Sequence, residues 1–292
     1  MTTVSIVTPC YNAGRHIEET IRSVISQEGD FTIDYILVDG GSTDETLAVI
    51  RKYKDLIESG GCSIRCNGVR LDVISEKDEG MYDALGKGFK RTAGDIIAYI
   101  NADDYYLPHA FSTVAEVFAT FPEVDWITGM NMGYNEKGQI TSCWLPLNYA
   151  GPKIRRGVYG TMLPHIHQES TFWRKRLLHT LDLDHLRRYR FAGDFYLWHT
   201  FSQHAKLYIV QSCFAGFRLW GGQLSEQRDE YNRELRAIAD RRKLLDRPLG
   251  YLEKIVTFML PAEIKSMLNG QIIRHRKTGW WKSRSARGQV NP

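Results

Sequence analysis

Two adjacent carboxylates, Asp103 and Asp104, follow the apolar run Ile96-Ile97-Ala98-Tyr99-Ile100 after only Asn101 and Ala102. Neighbouring ionised carboxylates repel unless a cation or several donors compensate them. Hard oxygen ligands select Mg or Mn, and these ions characteristically bind through one or two carboxylates together with substrate phosphate oxygens. The pair therefore predicts a divalent ion and a diphosphate substrate. As the end of a strand, Asp104 is expected to be exposed and to contribute little to packing. A glycine loop that binds phosphate without metal is not in evidence: the chain has no G-x-x-x-x-G-K-[ST], and Gly86-Lys87-Gly88 does not extend to G-x-G-x-x-G. Three more segments follow apolar runs: Thr8-Pro9-Cys10-Tyr11-Asn12, Asp39-Gly40-Gly41-Ser42 and Ser75-Glu76-Lys77-Asp78-Glu79-Gly80. An isolated Asp in such a place is usually a helix cap, the role expected of Asp44.

Elements must bring these segments to one edge. Runs at 4–8, 35–38, 71–74, 96–100 and 125–128 read as strands, and those at 35–38 and 96–100 are continuously apolar, as in strands buried on both faces. Ile17, Ile21, Val24 and Ile25 repeat at helical spacing, as do Leu47, Ile50, Tyr53 and Ile57, and then Phe111, Val114, Ala115 and Phe118. Alternation of the two patterns predicts an α/β fold whose mostly parallel sheet is flanked by helices, with ligands beyond the carboxyl ends of its strands. Residues 59–69 read as a turn-rich excursion and Asn135-Glu136-Lys137-Gly138 as a hairpin turn. A helix is expected from about Asp194, strands at 207–210 and 214–219, a helix over 228–246, and an amphipathic helix over 250–260 ended by Pro261.

Val4 to Ala13, Val38 to Asp44, Glu79 to Gly88 and Asn101 to Asp104 together resemble the four ordered motifs of family 2 glycosyltransferases with the GT-A fold, of the type found in bacterial surface-polysaccharide biosynthesis. The likeness is dense over 1–130 and looser over 160–225. It implies a nucleotide-diphospho-sugar donor, most often a UDP-sugar, with Thr8, Pro9 and Tyr11 lining the base and Asp39 accepting from the uracil edge, a role that suits a carboxylate facing a ring N–H. Asp83 would complete the nucleotide pocket, Asp103 would meet ribose or metal, and Asp104 would meet the metal bridging the diphosphate. Gly86 departs from the pattern, standing where relatives usually carry Asn. Inverting displacement needs a base opposite the leaving diphosphate, and Asp194 in Phe191-Ala192-Gly193-Asp194-Phe195 matches the family's second acidic motif; helix capping is its alternative reading. His165, His167 and Gln168 fall where relatives repeat His-Gln, as a site wall, a metal or phosphate contact, or a buried structural cluster. Of Trp144, Trp173, Trp198 and Trp220, most are expected in the core and one near an acceptor groove. A catalytically inactive nucleotide-sugar-binding or partner-binding protein, and a sugar-phosphate nucleotidylyltransferase, are the competing functions.

The 292 residues, 43% hydrophobic and 25% charged, are those of an ordinary globular protein. The start Met1-Thr2-Thr3-Val4 lacks the regions of a secretory signal, and the five scattered cysteines suit a reducing compartment, with no second pair to make a zinc site of Cys62 and Cys66. A cytoplasmic protein is expected. Its net charge of +4 divides into +9 for 241–292 and −5 for the rest. This divides the chain into a 1–240 catalytic domain, with a nucleotide-sugar half (1–130) and an acceptor half (131–240), and a 241–292 helical basic tail. Tyr251, Leu252, Ile255, Val256 and Met259 share a helical face, and Arg274, Arg276, Lys277, Lys282, Arg284 and Arg287 surround Trp280-Trp281. The expected partners are a nucleotide-sugar, a saccharide or lipid-linked acceptor and an anionic membrane surface met peripherally at its inner face, with no nucleic acid.

Overall fold

Val4, Ile6, Val7, Ile36, Leu37 and Val38 have no exposed surface, the outcome expected when helices cover both faces of parallel strands. In the computed structural model, which describes residues 1–268, 270–275 and 278–283, the amino-terminal part runs β1 (Thr2–Cys10), α1 (Ile17–Ile25), β2 (Glu28–Asp39), α2 (Thr46–Glu58), β3 (Arg65–Ser75), α3 (Met81–Phe89), β4 (Ile96–Tyr99), β5 (Tyr105–Tyr106), α4 (Ala110–Thr120), β6 (Trp126–Thr128), β7 (Asn131–Asn135) and β8 (Ile140–Trp144). It continues through α5 (Gly151–Arg155), β9 (Thr171–Arg174), α6 (Lys175–Leu178), α7 (Leu183–Leu186), α8 (Gly193–His204), β10 (Leu207–Val210), β11 (Ala215–Leu219), α9 (Arg228–Ile238), α10 (Asp246–Met259), α11 (Ala262–Lys265), β12 (Gln271–Arg274) and β13 (Trp281–Ser283). Arg276, Lys277, Arg284 and Arg287 of the basic tail lie outside the described residues.

Among the described residues, nine strands form one sheet in the order β13-β12-β10-β6-β9-β4-β1-β2-β3, parallel except for the pairings of β9 and β13. A smaller sheet, β5-β11-β7-β8, stands beside it. Alternate residues of the central strands enter two cores. Val4 and Ile6 pack with Ile17 and Ile21 of α1, Ile50 of α2 and Phe111 of α4. Val7, Ile36 and Val38 pack on the other face with Tyr82, Leu85 and Phe89 of α3 and with Leu197, Trp198 and Phe201 of α8. The result is a helix-sheet-helix sandwich whose β1, β2, β3 and β4 all end at the same edge.

Several expectations need correction. The excursion at 59–69 ends early, because Arg65 to Val69 already pair with β2 as the start of β3. The helix expected over 228–246 stops at Ile238; Asp240 turns away, its N–H donating to Arg155 O at 2.9 Å and its carboxylate meeting His199 Nε2 at 3.0 Å. The helix expected over 250–260 starts at Asp246, with Pro248 in the first turn where a missing N–H costs nothing. Beyond it the tail is not helical throughout: after the short α11, β12 pairs with β10 and β13 with β12, so this part of the segment set apart at 241–292 extends the main sheet. Trp281 is buried with its indole N–H on Glu116 at 3.0 Å, which removes it from any interfacial role. Among the described residues no helix is long and apolar enough to cross a membrane.

Candidate active site

The loops after β1 and β2 are stitched together by side chains. Asn12, at φ 48°, a left-handed conformation that Asn tolerates, donates its N–H to Ser42 Oγ at 2.8 Å and accepts from Thr43 N–H at 2.9 Å. Asp44 is not the cap expected of it, since Glu45 holds that position before α2; its carboxylate accepts from Gly14 and Thr46 N–H and ties the β1 loop to the start of the helix. At the base of this cleft Asp39 has no exposed surface, and its carboxylate accepts from Ser42 N–H at 3.2 Å and Ser75 Oγ at 2.8 Å. Tyr11 stands over the mouth, 64% exposed. Thr8 and Pro9, expected to line the base, are buried inside β1, and the Thr8 hydroxyl accepts from Tyr35 at 3.1 Å. They shape the strand and present no free surface to a ligand. Asp83 is also turned inward, held by Glu79 N–H at 3.1 Å, by Lys87 Nζ at 3.4 Å and by the Arg187 guanidinium. Burial alone would raise its pKa, but these donors outweigh it and hold the carboxyl below the usual range. Arg187 explains the departure at Gly86: a Cβ there would stand 3.2 Å from Arg187 Cγ and 3.4 Å from Leu183 O.

Asp103 and Asp104 emerge after β4 on a loop fixed from three sides. Thr20 of α1 donates to the carbonyls of Ala102 and Asp104 at 2.9 and 2.7 Å, and Tyr134 of β7 to that of Asp103 at 3.0 Å. Arg218 of β11 gives its N–H to Asp104 Oδ1 at 2.8 Å and its Nε–H to Asp103 O at 2.7 Å, while its guanidinium pairs with Glu19 over the Tyr134 ring. Asp103 Oδ2 accepts from the Trp220 indole at 2.7 Å and Gln223 Nε2 at 3.2 Å. Asp104 is not the exposed carboxylate expected. It is fully buried because β11 lies over it, and Gln168 Nε2 approaches its Oδ2 at 3.4 Å. Burial, then Asp103 and Glu169, push its pKa well above the carboxylate range.

A divalent cation would relieve that crowding. The chemistry of the donors fits one: two hard carboxylates, with Asn101 Oδ1 two residues before Asp103, and Gln168 Oε1 on the amide that reaches Asp104, both buried without partners among the described residues. The described residues contain no cluster of three or more His, Cys, Asp and Glu that would hold a metal by themselves. Remaining positions would fall to phosphate oxygens and water.

Asp194 lies in the first turn of α8, where it is not the cap; Ala192 holds that position. Gly193 leaves room for the Tyr82 ring, which any Cβ would strike. The Asp194 carboxyl accepts from Phe195 N–H at 2.6 Å and from the Tyr231 hydroxyl at 3.4 Å. It borders a cavity of about 10 Å³ shared with Tyr159, His165, Trp198 and Tyr231, room for roughly one water. Burial raises its pKa to about 7, against the opposing pull of those two hydrogen bonds. His165, its ring 5.3 Å from that of Tyr231, has its pKa lowered to about 4, chiefly by burial. Glu234 of α9 accepts from the N–H groups of Arg190, Phe191 and Ala192 at 3.0, 2.9 and 2.8 Å, fixing the approach to α8. His167 leans on Glu169 at 2.7 Å instead of facing Asp194.

The four strand-end segments are thus gathered at one edge, while Asp194 lies on α8 in its own pocket with Tyr159, His165, Trp198 and Tyr231. Sequence reasoning missed Arg218, Gln223, Tyr231, Glu234 and Arg187. Trp220 followed by Gly221-Gly222 after a strand was the one local signal; the others reach the site from distant elements and carry no spacing of their own.

The model of the family described as Glycosyl transferase family 2 matches residues 5–213. An uncharacterized glycosyltransferase of Haemophilus influenzae is 26% identical over 261 residues, 86% of this chain and 75% of that protein. Other curated relatives are covered over 33% to 62% of their own length. Staphylococcus aureus TarS 1–349 in complex with UDP-GlcNAc superposes with a TM-score of 0.53 at 17% identity, over 91% of this chain and 70% of that one. The Pyrobaculum calidifontis mannosyltransferase PcManGT, in complex with GDP-Man and Mn2+, does so with a TM-score of 0.53 at 15% identity, over 87% and 73%. These two likenesses establish the GT-A type of fold.

Proposed function

This chain belongs to glycosyl transferase family 2, and from that premise we propose that it is an inverting enzyme moving a sugar from a nucleotide-diphospho-sugar, in the first instance a UDP-sugar, to an acceptor hydroxyl. Asp39, pre-oriented by Ser42 and Ser75, accepts the N–H of a uracil ring, and Tyr11 covers the base. Asp103 and Asp104 hold Mg or Mn, which when bound offsets the negative charge that gathers on the departing diphosphate. Arg218, Trp220 and Gln223 fix the orientation of the two carboxylates before donor arrives. Asp194 takes the proton of the acceptor hydroxyl. With a pKa near 7 it is ionised in half the molecules at neutral pH and basic enough to accept that proton.

The observation that carries this reading is the division of labour among carboxylates. One pair is tied into a donor-rich loop suited to a cation, and one isolated carboxyl sits in an apolar pocket on α8. Asp194 acting as general base suits one direct displacement, hence inversion. The complexes of UDP-GlcNAc with TarS and of GDP-Man and Mn2+ with PcManGT support the donor class and the ion. The acceptor is a lipid-linked or polysaccharide intermediate, used by a cytoplasmic enzyme peripheral to the inner membrane face. A panel of nucleotide-sugars with lipid-linked acceptors tests the proposal. Transfer from one donor, abolished by chelator and restored by Mn or Mg, is expected; chelator-insensitive transfer would contradict the assigned cation.

A further inference from the structure

Helix α10 is inside out. Its body-facing stripe is polar or small: Asp246 pairs with Arg156 through two contacts of 2.7 Å, Glu253 with Lys153, and Gly250 and Thr257 are buried between them. Its outward stripe is apolar, through Leu245, Leu249, Leu252, Ile255 and Met259, with Ile255 56% and Met259 76% exposed, while Phe258 at its margin sets its ring 5.7 Å from that of Trp144. An amphipathic helix on a globular domain normally turns the apolar stripe inward, and an exposed patch of this kind marks a binding surface. Arg247 and Lys254, both exposed, flank the stripe one helical heptad apart.

Two occupants can be compared. A second copy docked about a two-fold axis would bring the Arg247 and Lys254 rims of both copies together, within a segment that already carries +9. An anionic bilayer matches both features, since its acyl boundary accepts the apolar stripe and its headgroups accept the cationic rim. We propose that the outward face of α10 is the surface by which this protein docks on an anionic membrane, lying in the plane of the interface. This deepens the membrane-face reading given above and relocates it: the contact is made by α10, with Trp281 and Arg274 instead engaged by Glu116 in the fold.

The test is co-sedimentation of the full chain with vesicles of phosphatidylcholine containing about 30% phosphatidylglycerol, compared with pure phosphatidylcholine. The full chain should bind the anionic vesicles preferentially and release partly as salt rises. Ile255→Glu with Met259→Glu should lower the bound fraction about tenfold. These side chains are exposed, so the melting temperature and donor hydrolysis in solution should not change; Leu249→Ser with Leu252→Ser, which adds no charge, should act in the same direction more weakly. Binding by the full chain that survives both variant pairs would overturn the α10 surface and leave membrane attachment to other basic residues. No binding by the full chain would overturn both readings, and a dimer in solution that the same substitutions dissociate would assign the stripe to a second copy instead.

Discussion

The burial that suits Asp194 to the proposed role of base also makes it a liability to the fold. A carboxyl whose pKa rises from 3.8 to about 7 on folding contributes stability that is fully present below its unfolded value and is lost as pH climbs through 7. Asp194→Asn removes that loss, so the variant should gain on the native protein by on the order of 3 kcal/mol between about pH 5 and about pH 8, read from denaturant midpoints. In the same variant kcat should drop by about 100-fold or more with UDP affinity nearly intact. Loss of nucleotide affinity in step with rate would mark Asp194 as structural. The Tyr231 hydrogen bond favours the ionised carboxyl, so Tyr231→Phe should move the acid limb of the kcat profile to higher pH while the plateau survives; an unmoved limb would show that this contact does not tune the base. Asp39→Ala should raise the donor KM more than it lowers kcat, and an unchanged donor KM would remove Asp39 from the nucleotide pocket. Asp39, Asp103, Asp104 and Asp194 were legible because each follows an apolar run or lies within a recognisable motif. Their partners were not, because Arg218 and Tyr231 come from elements 114 and 37 residues away from the carboxyls they touch.

At the scale of elements, α9 straps the catalytic half together. Its Glu234 satisfies three consecutive amide donors before α8, and its Leu235 is buried beside Ala192 and Phe195. Glu234→Ala leaves those donors to find water in a partly buried loop, at a cost of about 2 kcal/mol. Melting temperature and kcat should fall together, with donor KM unchanged, since nothing on the β1 and β2 side depends on this contact. A normal kcat at temperatures where the variant is folded would limit Glu234 to stability. The parallel strands and α1, α2 and α4 could be read from periodicity, because buried strands are continuously apolar and covering helices repeat at 3.6. What escaped were β5, β9, β12, β13, α5, α6, α7 and α11, each no longer than five residues, and the early end of α9. That end lies in a stretch of good helix formers and is dictated by Asp240 reaching Arg155 and His199, a tertiary choice that overrides propensity.

For the whole molecule, the charge division of +9 against −5 was visible in the sequence, but its meaning depends on which way the last elements face. Amphipathicity alone does not distinguish a face that meets protein from one that meets lipid; only the turned-in Asp246, Gly250 and Thr257 do so. The molecule then presents one edge where β1 to β4 end, the candidate donor site, and a helix α10 whose apolar stripe is largely exposed. The central claim is a single displacement on a nucleotide-diphospho-sugar with Asp194 as base. The most direct measurement is proton NMR of the sugar released or transferred in the first turnovers, before the anomers equilibrate, using native protein and Asp194→Asn. Inverted anomeric configuration from the native protein, with the signal lost in the variant, is the predicted result; a product that retains the donor's configuration would contradict it.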